Sequence, residues 1–406
     1  MEYIKRDIEQ VITRVSQHYA AVIITGPRQA GKTTTLRHIA EGRIYVTLDN
    51  LDARRMAQND PALFISMYPP PVLIDEVQYA PQLFSYIKIA ADNGAAAGSY
   101  WLTGSQAFRL MELAQESLAG RVAILHMTSL SQHEMYGVGG NVPFLISLEA
   151  VKERVNNGTK TDVRGIYQRI WKGSMPGHVS GRYPDRDIFY ASYLQSYIQR
   201  DIGEMVKRID SLQFADFVRA AACRIGSVLN IHDIARDVGI SDDTAKRWLL
   251  LMEQSGVVFF LRPYFNNLLK RVIKAPKMYF FDTGLVAYLT RYSSPEILIN
   301  GALNGAILEN YVVAEIAKSF TNNGKECLMY YYRDKDGKEI DLLLESDGAV
   351  YPIEIKKSTL PNEADVRGFD VLHGGNLSVG MGAVVCTSEV LSAINRDVLI
   401  VPAWMI

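Results

Sequence analysis

The stretch that decides the fold is Val22-Ile23-Ile24-Thr25-Gly26-Pro27-Arg28-Gln29-Ala30-Gly31-Lys32-Thr33-Thr34, where an apolar strand pattern runs into G-x-x-x-x-G-K-T. The two glycines permit a tight turn, so that successive N–H groups point at phosphate oxygens, and the helix starting near Lys32 adds its positive dipole end. This predicts a P-loop in which residues 26–34 bind a nucleoside triphosphate. Lys32 is expected to reach the β- and γ-phosphates, and the Thr33 hydroxyl to hold Mg²⁺.

Length and composition limit the class of protein. A chain of 406 residues is too long for one core, and 48% hydrophobic with 21% charged residues is typical of a globular protein. The net charge of −1 excludes a highly basic nucleic-acid binder, so any DNA contact must come from local basic patches. The three cysteines are isolated, and the sequence has neither a signal-peptide pattern nor a membrane-spanning apolar run, which predicts a cytoplasmic protein that is not membrane-inserted.

A second part of the nucleotide site follows the P-loop by about 45 residues. Val72-Leu73-Ile74 reads as a buried parallel strand that ends in Asp75-Glu76. Asp75 is expected to join the Mg²⁺ shell, and Glu76 to polarise an attacking water. The alternative is a pair of solvated carboxylates at a strand end.

Two further positions complete the predicted site. Thr103 ends the strand pattern 100–103, where a polar side chain would lie beside the γ-phosphate, with Ser105 in reserve. The alternative for Thr103 is a plain strand cap. Arg121 precedes the strand pattern 122–127 and is a candidate to supply positive charge to the transition state, within the subunit or to a neighbour; Arg109 is a second candidate in a neighbour. The alternative for Arg121 is a surface or salt-bridging arginine.

The order of the patterns predicts an α/β protein with four segments. Alternating strands and helices indicate a doubly wound parallel sheet in a P-loop domain at residues 1–140. A helical connector is predicted at 141–212, a winged-helix module at 213–295 and a restriction-endonuclease-like α/β core at 296–406.

The predicted winged helix is the first candidate DNA contact. Helix, turn and helix are indicated up to about residue 254, and strands at 257–261 and 278–281 are expected to form the wing. Asp242 and Asp243 at the start of the second helix would meet phosphate badly. Lys270, Arg271, Lys274 and Lys277 are the better basic patch. The alternative is a helical module that packs against the P-loop domain or another subunit.

The carboxyl-terminal core carries a candidate nuclease site. A helix, a three-strand meander joined by Asp-Gly turns, a helix after Pro361 and two more strands are predicted, with Asp341 on the middle strand and Glu354-Ile355-Lys356 on the next. Glu309, Asp341 and Glu354 would hold a divalent metal, with Lys356 beside them. An amphipathic hairpin with a solvated charged face and a retained but inactive nuclease core are the two alternatives.

Taken together, these motifs resemble the bacterial and archaeal AAA-type ATPases whose carboxyl half is a family-specific region of unknown function. The resemblance runs nearly end to end and rests on the P-loop and on Leu73–Gln78, Leu102–Ser105, Leu118–Arg121, Tyr197–Ile202, Lys277–Leu285, Glu339–Asp341 and Pro352–Lys356. It implies an ATP-binding core, a winged-helix middle and a nuclease-like end. The preference for ATP over GTP rests on this resemblance, since no N-K-x-D signature follows the third strand pattern.

Two hypotheses follow. In the first, Lys32, Thr33, Asp75 and Glu76 hydrolyse ATP with Mg²⁺, and the carboxyl-terminal half transmits this to a partner such as DNA, with a homo-oligomer if an arginine acts in trans. In the second, the protein is a nucleotide-dependent switch with little turnover and an inactive nuclease-like core. Glu76 favours hydrolysis, because a protein that only binds nucleotide could dispense with it.

Overall fold

Apolar strands form a parallel sheet in the first of two units. The computed structural model describes residues 3–104, 110, 120–198, 210–265, 274–374 and 377–406. The first unit comprises residues 1–129, 254–256 and 321–324. Its strands are β1 (Ala21–Thr25), β2 (Ile44–Thr47), β3 (Val72–Asp75), β4 (Tyr100–Thr103) and β5 (Val122–His126). They lie in the order β2-β3-β4-β1-β5, and the paired strands are parallel.

Helices cover both faces of this sheet, which is why its strands read as continuous apolar runs. They are α1 (Ile8–Ser16), α2 (Lys32–Ile39), α3 (Leu51–Asn59), α4 (Pro61–Met67) and α5 (Gln82–Asp92). Alternate residues of β1 serve two cores: Val22 and Ile24 pack with Leu36, whereas Ala21 and Ile23 pack with Phe84. The predicted α/β parallel sheet is confirmed.

The strand order brings the predicted nucleotide residues to one edge. β4 lies between β1 and β3, with Ile24 opposite Thr103 and Thr47 opposite Asp75. Because the carboxyl ends of parallel strands share an edge, the P-loop, Asp75 and Thr103 all leave the sheet on the same side.

The second unit comprises residues 130–253, 257–320 and 325–406. Its α-helices are α6 (Gln132–Tyr136), α7 (Leu148–Asn156), α8 (Val163–Lys172), α9 (Pro176–Val179), α10 (Arg186–Ser196), α11 (Ser211–Ala222), α12 (Ile231–Val238), α13 (Asp242–Gln254), α14 (Thr283–Leu289), α15 (Pro295–Asn300) and α16 (Asn304–Thr321). Its strands are β6 (Val258–Pro263), β7 (Lys277–Phe280), β8 (Met329–Arg333), β9 (Glu339–Ser346), β10 (Ala349–Lys356), β11 (Ser378–Val379), β12 (Gly382–Cys386), β13 (Ser392–Ala393) and β14 (Val398–Pro402).

One mixed sheet runs through this unit in the order β13-β14-β12-β10-β9-β8-β6-β7, with β11 beside β10. The meander β8-β9-β10 is antiparallel, and β10, β12 and β14 are parallel. The predicted strands of the carboxyl-terminal core are therefore present. The helix expected after Pro361 is a 3-10 helix, Glu363–Gly374.

The predicted wing belongs to this sheet. β6 and β7 pair antiparallel, as expected, but Arg262 and Pro263 of β6 also pair in parallel with Tyr330 and Tyr331 of β8. One hydrophobic cluster extends from Phe144 to Ile406. The segments on either side of residues 212 and 295 thus lie in one compact unit, in which β6 pairs with a strand about 70 residues away in sequence. The predicted boundaries at these residues stay predictions. Among the described residues, no helix is long and apolar enough to cross a membrane.

Candidate active site

The P-loop backbone has the strained turn that phosphate binding requires. Gly26 has φ 140° and Gly31 has φ 93°, both in the region that favours glycine, and Gln29 between them has φ 62°. A Cβ atom at Gly26 would lie 2.0 Å from the carbonyl oxygen of Met127. Helix α2 begins directly afterwards at Lys32, so the loop N–H groups and the helix dipole form one anion-binding corner.

Lys32 lies over this loop. Its Nζ donates to the carbonyl oxygens of Gly26 and Pro27, each at 2.8 Å, and the side chain is buried. Both acceptors are neutral and do not cancel the ammonium charge. The predicted phosphate-binding lysine is therefore held at the turn where the phosphates are expected.

Thr33 and Asp75 meet as predicted for a shared Mg²⁺ site. Thr33 Oγ1 donates to the two carboxylate oxygens of Asp75 at 3.0 and 3.1 Å, and Tyr45 Oη donates to Asp75 Oδ2 at 3.1 Å. Burial, and then the charge of Glu76, raise the pKa of Asp75 to about 6, against the hydrogen bonds from Thr33 and Tyr45 and the charge of Lys32. Hydroxyl and carboxylate oxygens are ligands that Mg²⁺ accepts, so this pair fits the ion.

Glu76 follows β3 in a left-handed conformation, with φ 57° and ψ 44°. Its Oε2 accepts a hydrogen bond from Nε2 of Gln78. The short 3-10 turn Val77–Tyr79 begins here and buries Gln78. The turn thus sets the direction of the carboxylate predicted to polarise water.

Thr103 has a buried hydroxyl without a hydrogen-bond partner among the described residues, and the same holds for Oε1 of Gln78. Leaving such an atom unpaired costs about 1–3 kcal/mol. Both residues lie at the edge of the sheet where the P-loop and Asp75 converge. A bound phosphate oxygen could accept from the Thr103 hydroxyl, and a water of the bound nucleotide could donate to Gln78 Oε1, so the residues present fit a Mg²⁺-nucleotide.

Two residues near the site were not found from the sequence. The buried Arg6 guanidinium donates to the carbonyl oxygens of Ala30, at 2.7 Å, and Thr128, at 2.9 Å, and so ties the P-loop to the segment after β5. His126 ends β5, and its Nδ1 lies 3.3 Å from Thr25 Oγ1. Burial, and then the charge of Lys32, lower the pKa of His126 to about 4. The position of His126, a polar residue at the end of a strand next to the P-loop strand, could have identified it from the sequence. No sequence pattern pointed to Arg6.

The structure does not bring Arg121 to the P-loop. Its neighbour Val122 pairs with Ala21, the first residue of β1, whereas the P-loop follows the last. Four residues of strand, about 13 Å, separate the two edges. Arg121 instead forms an ion pair with Asp92 on α5, and both side chains are partly exposed. The distance is too large for Arg121 to act at the P-loop of its own subunit, which corrects that part of the prediction. A role of Arg121 at the P-loop of a neighbouring subunit stays a prediction. Ser105 and Arg109 lie outside the described residues.

The predicted nuclease residues converge in part. Lys356 Nζ lies 2.8 Å from Glu354 Oε2 and 3.9 Å from Asp341 Oδ2, and Asp341 Oδ2 accepts a hydrogen bond from the N–H of Ile355 at 2.9 Å. Glu354 is buried, and this burial, followed by the charge of Asp341, raises its pKa. A lysine therefore lies against the carboxylates that were expected to hold a metal.

Glu309 is occupied by other groups. Lys277 Nζ lies 3.2 Å from Glu309 and 2.7 Å from Glu339, and Tyr279 Oη donates to Glu309 at 2.6 Å. Burial alone would lower the pKa of Lys277, but Glu309, Asp341 and Glu339 outweigh it and raise the pKa. In the described part of the chain, no group of three or more His, Cys, Asp or Glu side chains is placed to hold a metal ion. The structure thus does not gather Glu309 with Asp341 and Glu354 in one such group, and a metal site at these residues stays a prediction.

The predicted basic surfaces are also altered. Lys277 is buried and is no part of an exposed patch, while Lys270 and Arg271 lie outside the described residues. On α11 to α13, basic side chains are paired with aspartates: Arg219 with Asp216, Arg224 with Asp237, Arg236 with Asp233 and Lys246 with Asp243. These pairs reduce the positive field that phosphate contacts need.

Comparison with known proteins divides the chain into three parts. Residues 18–136 match the family described as "AAA domain", residues 163–296 match "Domain of unknown function (DUF8612)" and residues 304–406 match "Domain of unknown function (DUF4143)". Uncharacterized proteins of Mycobacterium bovis and Mycobacterium tuberculosis are each 28% identical over 405 residues, covering 98% of this chain and 83% of theirs.

The solved structures that match this chain are more distant in sequence. A Walker-type ATPase of Pyrococcus abyssi is 15% identical with a TM-score of 0.44, covering 71% of this chain and 96% of that one. The ADP form of the Aeropyrum pernix ORC2 protein is 12% identical with a TM-score of 0.28, covering 62% of this chain and 85% of that one. The family match, the parallel sheet and the P-loop agree: residues 18–136 form an AAA-type P-loop ATPase domain.

Proposed function

We propose that this protein hydrolyses ATP with Mg²⁺ at the edge of the parallel sheet in its first unit. The observation that carries the proposal is the direct contact of Thr33 with Asp75, beside a P-loop in which Lys32 is held at the turn. Residues from α2 and β3, 42 positions apart, share one oxygen-rich corner. This is the ligand set that a Mg²⁺-triphosphate needs.

Each residue has a separate task in this proposal. The loop N–H groups of residues 26–34 bind the phosphates, and Lys32 offsets their charge. Thr33 and Asp75 hold Mg²⁺, which when bound neutralises charge on the phosphate oxygens. Glu76 orients the attacking water and accepts its proton, and the Thr103 hydroxyl donates to a phosphate oxygen or its water. ATP is the proposed nucleotide on the family resemblance; equal stabilisation by ATP and GTP in a melting assay would contradict that preference.

For the carboxyl-terminal core, the contacts favour the inactive form over a nuclease. The predicted cutting site would need Glu309 to bind a metal together with Asp341 and Glu354, yet Lys277 pairs with Glu309. Displacing the Lys277 ammonium, which is buried, would leave its charge uncompensated. In this proposal, ATP turnover acts on a partner through the second unit without cleavage of DNA, and a nucleotide-dependent switch with little turnover is the alternative.

Phosphate release from Mg²⁺-ATP, measured for the wild type and for Glu76→Gln, tests the proposal. We expect wild-type turnover, and for Glu76→Gln unchanged ATP binding with turnover lowered by about 100-fold, within the usual range for a lost general base. Equal turnover would remove Glu76 from the mechanism. ATP-induced stabilisation without any phosphate release would leave the switch as the function. Incubation of plasmid DNA with Mn²⁺ is expected to give no nicking, and nicking that is lost in Glu354→Gln would restore the nuclease.

A further inference from the structure

Gln78 lies two residues after Glu76 and has no role in the mechanism so far. Its side chain is buried, with an exposed fraction of 1%, although glutamine is usually found on protein surfaces. Its Nε2 donates to Glu76 Oε2 at 2.5 Å, while its Oε1 has no hydrogen-bond partner among the described residues. A buried amide with one end on a carboxylate and one end unpaired needs an explanation.

The orientation of this amide is fixed by chemistry. An ionised carboxylate only accepts hydrogen bonds, so the nitrogen of Gln78 must face Glu76 and the oxygen must face the other way. The oxygen lies against Gly104, where a Cβ atom would come within 2.1 Å of it. Gly104 therefore provides the space that the amide occupies, directly after Thr103 at the end of β4.

The neighbouring strand end adds a second unpaired group. Thr103 Oγ1 is buried and, like Gln78 Oε1, has no hydrogen-bond partner in the part of the chain that the structure describes. β4 lies between the P-loop strand β1 and the strand β3 that carries Asp75. The Gln78 amide thus lies between the Glu76 carboxylate, which follows β3, and the backbone of Gly104, which follows β4. β4 is the neighbour of the P-loop strand β1.

We propose that Gln78 is a positioning residue that fixes the Glu76 carboxylate relative to the end of β4, so that Glu76 meets the attacking water in one orientation. This rests on the proposed ATPase function. The Nε2 contact holds the Oε2 atom of the carboxylate in one place. Because Gly104 has no side chain, the amide has room to keep this orientation, whereas a Cβ atom at residue 104 would displace it.

The test replaces the amide while keeping its volume. Gln78→Met removes both hydrogen-bonding ends, and Gln78→Glu places a like charge beside Glu76. We expect both variants to bind ATP as the wild type does, within about twofold, and to lower kcat by about tenfold or more, with KM little changed. Gln82→Met, an exposed position at the start of α5, is the matched control and should keep the wild-type kcat.

A purely structural role would lower turnover in any background, so the variants are also made in Glu76→Gln. There, the residual rate should change by less than twofold, because the carboxylate that Gln78 positions is gone. An equal loss in both backgrounds, or a wild-type kcat in Gln78→Met, overturns the inference. If Gln78→Met does not fold, Gln78→Glu decides by the same criteria. A wild-type chain that is stabilised by ATP but releases no phosphate overturns the proposed function, and this inference with it.

Discussion

Two polar sites of this protein differ in the groups that contact their charged and polar side chains. At the P-loop, Lys32 is bonded to neutral carbonyl oxygens, and the hydroxyl of Thr103 has no partner among the described residues. In the second unit, Glu309 and Glu354 are each in contact with a lysine ammonium. At the P-loop, the buried Thr103 hydroxyl is thus left for a ligand to pair, whereas in the second unit each of these two carboxylates already has a cationic partner. The sequence motifs do not distinguish these two sites. The groups that contact each side chain in the folded protein do.

The largest effect on nucleotide binding is expected at the P-loop. Lys32→Ala removes the ammonium that faces the phosphates, and we expect the Kd for ATP to rise by about 100-fold or more, which corresponds to about 3 kcal/mol. Titration with a fluorescent ATP analogue measures this, with Lys88→Ala on α5 as the control. Retained affinity in Lys32→Ala would mean that the P-loop is not the anion site.

The second site should respond in stability and not in nucleotide binding. Lys277→Met leaves Glu309 and Glu339 without their buried cation, and we expect a loss of about 3–5 kcal/mol in the free energy of unfolding at neutral pH, measured by urea denaturation. The matched variant Lys356→Met should lose less, because 37% of the Lys356 side chain is exposed against 2% for Lys277.

The pH dependence of this loss has a definite sign. The pKa of Lys277 is raised in the folded state, so its contribution is complete below its unfolded pKa of about 10.5 and is lost as pH rises through the folded value. In Lys277→Met, acidification should recover stability, since protonation removes the charge of Glu309. A Lys277→Met protein as stable as the wild type at pH 7 would contradict the account of a compensated cluster.

A smaller effect is expected from the proton on Asp75. The pKa of Asp75 is about 6 in the folded protein, against 3.8 ordinarily, so the nucleotide-free protein holds this proton below pH 6. The contribution of the protonated Asp75 to the free energy of unfolding therefore falls as pH rises from about 4 to 6. Because Mg²⁺ binds the ionised carboxylate, Mg²⁺-ATP affinity should fall by up to about tenfold per pH unit below pH 6. Asp75→Asn should lack this component; identical pH profiles in calorimetric titrations would exclude Asp75 as a ligand.

The smallest effect is expected at Arg121. Its partly exposed ion pair with Asp92 should be worth about 0–1 kcal/mol, so Arg121→Ala should change the melting temperature little and leave the turnover of a dilute subunit unaltered. Mixing experiments test the remaining role: if Arg121 acts in trans, wild-type activity should rise with concentration, and Arg121→Ala subunits should poison mixed assemblies. Flat activity per subunit under dilution would end that hypothesis.

Local patterns predicted the first unit well. The apolar runs that became β1, β3 and β4 are buried because helices cover both sheet faces. The turn at Gly26 was predicted from the spacing of the two glycines in the P-loop motif. Local patterns predicted the second unit less well, because its side chains contact residues that are distant in sequence. Lys277 resembled a member of a basic patch by its neighbours in sequence, yet it lies between Glu309 and Glu339, 32 and 62 residues further on.

By itself, the sequence determined the P-loop, the acidic strand end at Asp75-Glu76 and the order of strands along the chain. These features depend on residues that are close in sequence, so period and spacing suffice to reveal them. Only the tertiary structure decided that β4 lies between β1 and β3, that β6 pairs with β8, and that the Gln78 amide lies against Gly104. Strand pairing and burial are set by contacts between distant segments, and no local pattern of residues specifies which segments will meet.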